Sequence, residues 1–292
     1  MNMWITFAII SALFSAAAAI TEKKTLFKEN ALVFSMVLAF FNLILSLPFF
    51  FFIDFSLISN SALIALFIKS ILGALSFLLV MNGLKKLEIS SSLPLLVLTP
   101  GITAVFAYFI LNEKLAGLEI FGMLMLMLGT YFLQLKSKQR FMDPFLFSKQ
   151  NKAYLYILGA VLIFTITSIL DKTILGKYKM APQAFLPIQH LFFAVNFSLF
   201  FVFSKQSKKA IYSTVQGSWK LILLVAIFTI IYRYSHILAI KAGSVALVLS
   251  IKRTSVFFAT VIGGHYFNEQ NLVRKSIATL LMIAGAIFII IG

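Results

Sequence analysis

The sequence predicts an all-α polytopic membrane protein with ten transmembrane helices, arranged as two inverted five-helix repeats around a central cavity. The 292 residues are 61% hydrophobic and have a mean hydropathy of +1.01, whereas a soluble domain is roughly half apolar. Apolar runs of about twenty residues, the length that spans a bilayer, recur along the whole chain. The two halves also share short motifs at a nearly constant spacing.

The apolar runs define the predicted spans in chain order. They lie at residues 3–20, 31–53, 62–81, 91–111, 117–135, 153–174, 183–203, 219–240, 245–266 and 272–291. The connectors between them are short, except for 136–152 and 204–218. The run from Ser15 to Ala19 resembles a signal-peptide cleavage region, but no basic residue precedes it, so we expect the first helix to be retained.

The net charge of +16 comes mainly from lysines and arginines in the short connectors. This pattern is typical of loops that face an anionic membrane leaflet, and it argues against nucleic acid as the partner. It also places the termini on the outer side of the membrane. The basic connector 136–152 divides the chain into a first five-helix repeat, 1–135, and a second, 153–292. The chain has no cysteine, which excludes disulfides and thiolate metal sites.

The repeat itself is predicted from matched positions. Asn112-Glu113 recurs as Asn268-Glu269, 156 residues later, and the same spacing relates Lys85 to Lys241 and Gly129 to Gly285. Glu22-Lys23 is echoed by Asp171-Lys172, 149 residues later. Because each half has an odd number of spans, the second half enters the membrane from the opposite side. Inverted repeats are the architecture of many secondary transporters, whose substrate site lies between the halves near the midplane.

The strongest family signal lies in the motifs around the fourth and ninth spans. They are Leu93-Pro94, Thr99-Pro100-Gly101, Phe106-Ala107, Leu111-Asn112-Glu113-Lys114-Leu115, Gly122 and Gly129 in the first half, and Ala246-Leu247, Phe258-Ala259, Phe267-Asn268-Glu269 and Gly285 in the second. With these motifs the sequence resembles the EamA-like branch of the drug/metabolite transporter superfamily over nearly its whole length. The resemblance implies a ten-helix bundle with a central cavity that works by alternating access.

The resemblance also implies a wide substrate range, since the family carries amino acids, nucleobases, choline and nucleotide sugars. It implies cytoplasmic termini, opposite to the orientation that the charge pattern predicts. Within the wider superfamily, plastid phosphate translocators hold phosphate with a Lys-Arg pair in the ninth helix, and Lys252-Arg253 is similar to that pair.

Lys252 and Arg253 lie inside the ninth predicted span. A basic residue at bilayer depth costs roughly 2.5–3.5 kcal/mol on insertion scales, so the pair is expected to face a cavity, a counter-charge or a substrate. Counting residues at 1.5 Å each places Arg233, His236 and His190 in the same layer. Asp171 is the only nearby carboxylate in the second half. It cannot neutralise the layer alone, so we predict an anionic substrate group on these residues.

Other candidates in this region have two interpretations each. Ser250 and Thr254 would donate to substrate oxygens or bond back to their own helix. Pro100 would mark a gating kink or a packing kink. Asp171 would couple protons or serve as a counter-charge. The two histidines, His190 and His236, would couple protons or pack in the protein interior. We further expect Lys69, in the third span, to extend towards the membrane surface, or its helix to start later than the apolar run suggests.

The sequence therefore predicts a secondary, non-ATP transporter of a small polar metabolite with an anionic group, in the bacterial cytoplasmic membrane. Transport would be driven by proton coupling or by substrate exchange. There is no phosphate loop, nucleophile elbow or zinc-protease motif, so we expect no enzyme activity, cofactor or metal. Two alternatives remain open: an exporter of amino acids or amphipathic compounds in the same fold, and a lipid head-group translocating or accessory membrane protein. The sequence does not distinguish a monomer from a dimer.

Overall fold

A computed structural model describes residues 3–86, 96, 98–134, 152–255, 258–259, 262, 266 and 272–292, and in these ranges every regular element is helical. The α-helices, numbered in chain order, are α1 (Met3–Leu26), α2 (Ala31–Ser46), α3 (Asn60–Lys86), α4 (Leu98–Leu111), α5 (Gly117–Gln134), α6 (Lys152–Lys172), α7 (Pro182–Val202), α8 (Lys208–Ala242), α9 (Val245–Lys252) and α10 (Leu272–Ile291). Within the described ranges, six helical segments are long and apolar enough to cross a bilayer, and α4, α5 and α10 contain shorter apolar stretches. The chain is therefore a multi-pass membrane protein.

The second predicted span, 31–53, is two elements rather than one. The side chain of Asn30 caps α2 by accepting from Leu32 N at 2.9 Å. After Ser46 the chain continues as a 3₁₀ helix, Leu47–Phe52, with Pro48 in its first turn, because proline has no N–H to continue the α-helical pattern. A 3₁₀ turn follows at Phe55–Leu57. Hydrogen bonds from Ser56 hold the pKa of the exposed Asp54 carboxyl, which lies outside the spans, below its usual range.

The prediction of a long connector at 204–218 is wrong over most of this range, because α8 begins at Lys208 and runs for 35 residues. Ser207 caps it by accepting from Lys209 N at 3.2 Å. Hydropathy detects only the part of a helix inside the bilayer, and 35 residues extend about 52 Å against a hydrocarbon core of about 30 Å. The first and third spans were predicted too short for the same reason, since α1 and α3 continue into polar turns up to Leu26 and Lys86.

Two predicted spans differ at their ends within the second half. The sixth, 153–174, continues past α6 through a π-helical turn at Thr173–Lys177. In the ninth, 245–266, α9 ends at Lys252, Arg253 forms a turn, and helical geometry resumes at Thr254. The remainder of the ninth span lies largely outside the described residues, as do most of 87–97, the connector 136–151 and the Asn268-Glu269 motif.

The two halves are interwoven. The first helix of each half packs against the third helix of the other, so α1 lies on α8 and α6 lies on α3. The last helices, α5 and α10, meet where Gly122 faces Gly285. A Cβ atom added at either glycine would lie 2.6 Å from the carbonyl oxygen of the other, so these backbones approach as closely as only glycine permits. This reciprocal packing is consistent with the inverted repeat.

Candidate functional site

A buried ion-pair network joins four helices around Asp171, near the end of α6. Its Oδ1 lies 2.8 Å from Lys69 Nζ on α3, and its Oδ2 lies 4.0 Å from Arg233 Nη2 on α8. Arg233 Nη2 also donates to Gln189 Oε1 on α7 at 2.8 Å. The expectation that Lys69 extends to the surface is therefore wrong. Its side chain is only 2% exposed, because the Asp171 carboxylate offers it an ion pair inside the bundle.

A cavity of about 200 Å³ lies beside this network, lined by residues of α1, α3, α6, α7, α8 and α9. Its charged lining residues come from both halves of the chain. They are Glu22, Lys69, Asp171, Arg233, Lys252 and Arg253. Among the described residues, four basic side chains therefore face two acidic ones across one partly open cavity.

Lys252 and Arg253 are the cavity cations with the fewest protein partners. Lys252 Nζ lies 5.1 Å from the centre of the Tyr232 ring, a cation–π contact. Neither side chain forms a hydrogen bond or ion pair with any residue in the described ranges, and Arg253 Nε is buried without a hydrogen-bond partner there. Buried polar groups normally have partners. These two side chains therefore present positive charge to the cavity without a described counter-charge of their own.

The pair occupies this position because of the local backbone. α9 begins at Val245, and its residues up to Ile251 are buried among the neighbouring helices. The helix ends at Lys252, and Arg253 N bonds to both Leu249 O at 3.0 Å and Ser250 O at 3.1 Å. Both side chains line the cavity, although consecutive residues of a helix point about 100° apart, so the end of α9 itself lies at the cavity wall.

The structure places the predicted site residues in two groups. Arg233, His236, Lys252, Arg253 and Asp171 all line the cavity. Three others do not. His190 is 1% exposed, packs its ring 6.3 Å from that of Phe193, and has no hydrogen-bond partner in the described ranges. Ser250 donates back to Ala246 O at 3.0 Å and Thr254 to Ile251 O at 2.8 Å.

Pro100 lies in the first turn of α4, where a missing N–H leaves no intrahelical bond unmade. Residues 87–95 and 97, just before α4, lie outside the described residues, so a gating kink at Pro100 stays a prediction. No group of three or more His, Asp or Glu side chains able to hold a metal ion occurs in the described part of the chain.

Sequence reasoning missed Glu22, Gln189 and Tyr232 as cavity residues. A signal for Glu22 was present, since the Glu22-Lys23 pair matches Asp171-Lys172 in the repeat. Restricting the charged layer to the second half left Glu22 out, although Lys69 of the first half was weighed as a surface-directed side chain. Nothing in the sequence marks Gln189, because an amide within an apolar span fits both packing and binding.

A second polar cluster lies where the ends of α4, α6 and α8 meet the start of α9. Glu113, just after α4, accepts from Ser244 Oγ at 2.8 Å and from Val245 N at 3.0 Å, and so caps the start of α9. Lys172 Nζ lies 3.6 Å from Glu113 Oε1 and donates to Ile240 O at 3.0 Å and Gly243 O at 2.6 Å. We call Glu113, Lys172 and Ser244 the α8–α9 clamp. It ties the helix that carries Lys252 to both halves of the chain.

The clamp contains one contact that the first half repeats. Lys23 Nζ donates to Leu84 O at the end of α3, as Lys172 Nζ does to Ile240 O at the end of α8. Leu84 and Ile240 are 156 residues apart, the spacing that relates the sequence motifs. Both lysines thus satisfy a carbonyl at a helix C-terminus, where backbone acceptors lack intrahelical donors.

Comparison with known proteins agrees with this architecture. The family model described as the EamA-like transporter family matches residues 2–135 and 151–291. A solved crystal structure of another protein superimposes with a TM-score of 0.66 at 17% sequence identity, over 98% of this chain and 95% of the other. At this identity the likeness shows the fold alone. The chain matches no curated protein.

Proposed function

The chain belongs to the EamA-like transporter family, and from this premise we propose that it carries a small metabolite with an anionic group through the cavity beside α9. It is a membrane transporter and not an enzyme. We further propose that ten spans, five in 1–135 and five in 153–292, surround this cavity and open it alternately to the two sides. No phosphate loop occurs in the sequence, so substrate exchange or an ion gradient would supply the drive.

The observation that carries the proposal is the pair Lys252 and Arg253. Both line the cavity, and neither has a hydrogen bond or ion pair with a described residue. By contrast, Lys69 and Arg233 share the Asp171 carboxylate. An arginine fork matches the geometry of a carboxylate or phosphate, and a lysine adds a mobile point charge beside it. A bound anion would neutralise the charge that the protein leaves exposed to the cavity.

A second part of the proposal concerns coupling. His236 lines the cavity, and its Nδ1 has no hydrogen-bond partner in the described ranges. An imidazole in such a position can take a proton when an anion arrives and release it when the anion leaves. We propose His236, rather than the enclosed His190, as the candidate for proton coupling.

The direct test is counterflow in liposomes that contain the purified protein and a panel of organic anions, amino acids and sugar phosphates. We expect uptake of at least one anion, and its apparent affinity should fall about tenfold or more in the Lys252→Ala/Arg253→Ala protein. The matched control is Lys208→Ala/Lys209→Ala, an adjacent basic pair that is exposed at the start of α8. Undiminished anion uptake by the Lys252→Ala/Arg253→Ala protein would refute the proposed site.

A further inference from the structure

Glu22 is a buried carboxylate that the proposed anion site does not use. It lies near the end of α1, is 6% exposed, and lines the same cavity as Lys252 and Arg253. It forms no hydrogen bond or ion pair with another residue of the described ranges. An ionised carboxylate that is buried without a partner is costly, so the burial of Glu22 in the cavity wall needs an explanation.

Its counterpart in the second half shows what Glu22 lacks. Asp171 holds the matching position in α6, where Lys69 and Arg233 supply its positive partners. At the 156-residue spacing, Lys69 of the first half matches Val225 of the second. Arg233 of the second half matches Phe77 of the first. Both are apolar, so the repeat keeps the carboxylate and omits its cations.

Glu22 and the basic pair are linked by Tyr232. The Tyr232 ring lies under Lys252 Nζ at 5.1 Å, and Tyr232 and Glu22 line the same cavity. A ligand in a cavity of about 200 Å³ can therefore reach the carboxylate and the basic pair at once. The aromatic face beside the carboxylate is itself a favourable surface for an ammonium group.

We propose that Glu22 is the subsite for a positively charged group of the substrate, so that the transported metabolite carries both an anionic group and an ammonium. This inference rests on the proposed function, because it assumes that Lys252 and Arg253 hold the anionic end. Two basic groups against one carboxylate favour a zwitterion with excess negative charge. An aminodicarboxylate or an aminoalkyl phosphate has this arrangement of charges.

The test uses pairs of probes that differ in the ammonium group alone: aspartate against succinate, and 2-aminoethyl phosphate against 2-hydroxyethyl phosphate. Binding to the purified full-length protein is measured by ligand-induced thermal stabilisation, which follows binding by mass action. In at least one pair, the wild-type protein should bind the ammonium-bearing member about tenfold more tightly or better. Glu22→Gln should abolish this preference and leave the affinity for the other member within about threefold.

The control is Glu29→Gln, the same chemical change outside the cavity, where Glu29 accepts from Ser218 Oγ at 2.6 Å. It should keep the ammonium preference. If Glu22→Gln does not fold, the binding of the paired probes to the wild-type protein still tests the inference. A wild-type protein that shows no preference for the ammonium-bearing members overturns it.

The two proposals fail in distinguishable ways. Anion binding that needs Lys252 and Arg253 but shows no ammonium preference, or a preference that persists in Glu22→Gln, overturns the role of Glu22 and leaves the proposed function standing. Anion binding that is unchanged in Lys252→Ala/Arg253→Ala overturns the proposed function. If no probe stabilises the wild-type protein, both proposals are overturned for these ligand classes.

Discussion

The two halves of this protein share a backbone plan but line the cavity with different chemistry. The second half contributes Arg233, His236 and Lys252. At the matching positions, 156 residues earlier, the first half has Phe77, Val80 and Leu96, and these three also line the cavity. The repeat therefore determines which positions face the cavity, and individual substitutions determine what the cavity binds. Charge that the architecture does not require is the best indicator of a substrate role.

The largest difference between the two halves is expected at the acidic residues near the ends of α1 and α6, Glu22 and Asp171. Asp171→Asn should destabilise the protein by about 3–5 kcal/mol, because Lys69 and Arg233 would be left buried without a counter-charge. Glu22→Gln should change stability by less than about 1 kcal/mol or stabilise the protein, since no cation is lost. Chemical unfolding of the two purified variants in detergent measures both effects. Equal destabilisation would show that Glu22 has a partner comparable to that of Asp171.

The next largest effect is expected at the α8–α9 clamp, where the first half caps a helix of the second. Glu113→Ala removes the acceptor of Ser244 Oγ and Val245 N, and charge-assisted bonds of this kind contribute about 1.5–3 kcal/mol. Thermal unfolding should show the loss, and the neighbouring exposed Lys114→Ala should show almost none. A Glu113→Ala protein as stable as wild type would mean that water replaces this cap without loss.

A smaller effect is expected where the two halves match closely. Gly122→Val places methyl groups against the Gly285 carbonyl, and overpacking of this kind typically costs about 1–3 kcal/mol. The matched control is Gly217→Ala in α8, where no atom lies within 4 Å of the added Cβ. The control should be neutral or stabilising, because alanine favours helix by up to about 1 kcal/mol. Unfolding midpoints in detergent compare the two variants.

The smallest effects are expected at Ser250 and Thr254, which bond to their own helix. Ser250→Ala and Thr254→Val should each change the apparent affinity for the transported anion by less than about threefold. Counterflow in liposomes, with Lys252→Ala as the sensitive reference, measures this. A loss as large as that in the reference would mean that these hydroxyls turn to the substrate during transport.

The sequence was sufficient for most of the fold because bilayer thickness imposes a length on apolar helices and the repeat supplies a second, independent signal. It failed where helices leave the bilayer. The polar turns that begin α8 have no hydropathy signature, and the 3₁₀ helix after Ser46 depends on Pro48 in its local context.

The sequence predicted only part of the candidate site, because it gives the depth of a residue in the membrane but not the direction of its side chain. The depth of Lys252, Arg253, Arg233 and His236 follows from counting residues, but the direction of a side chain does not. His190 has the predicted depth and faces the protein interior instead of the cavity. Lys69 was misjudged because its partner, Asp171, lies about a hundred residues away in the other half, a contact that no local pattern records.

The central claim is that Lys252 and Arg253 hold the anionic group of the substrate. An experimental structure of the protein with the anion that it transports in counterflow tests this most directly. We predict the acidic group of the ligand within hydrogen-bond distance of Lys252 Nζ or the Arg253 guanidinium, in the cavity beside Tyr232. A ligand bound elsewhere, with both side chains paired to protein groups, would contradict the account.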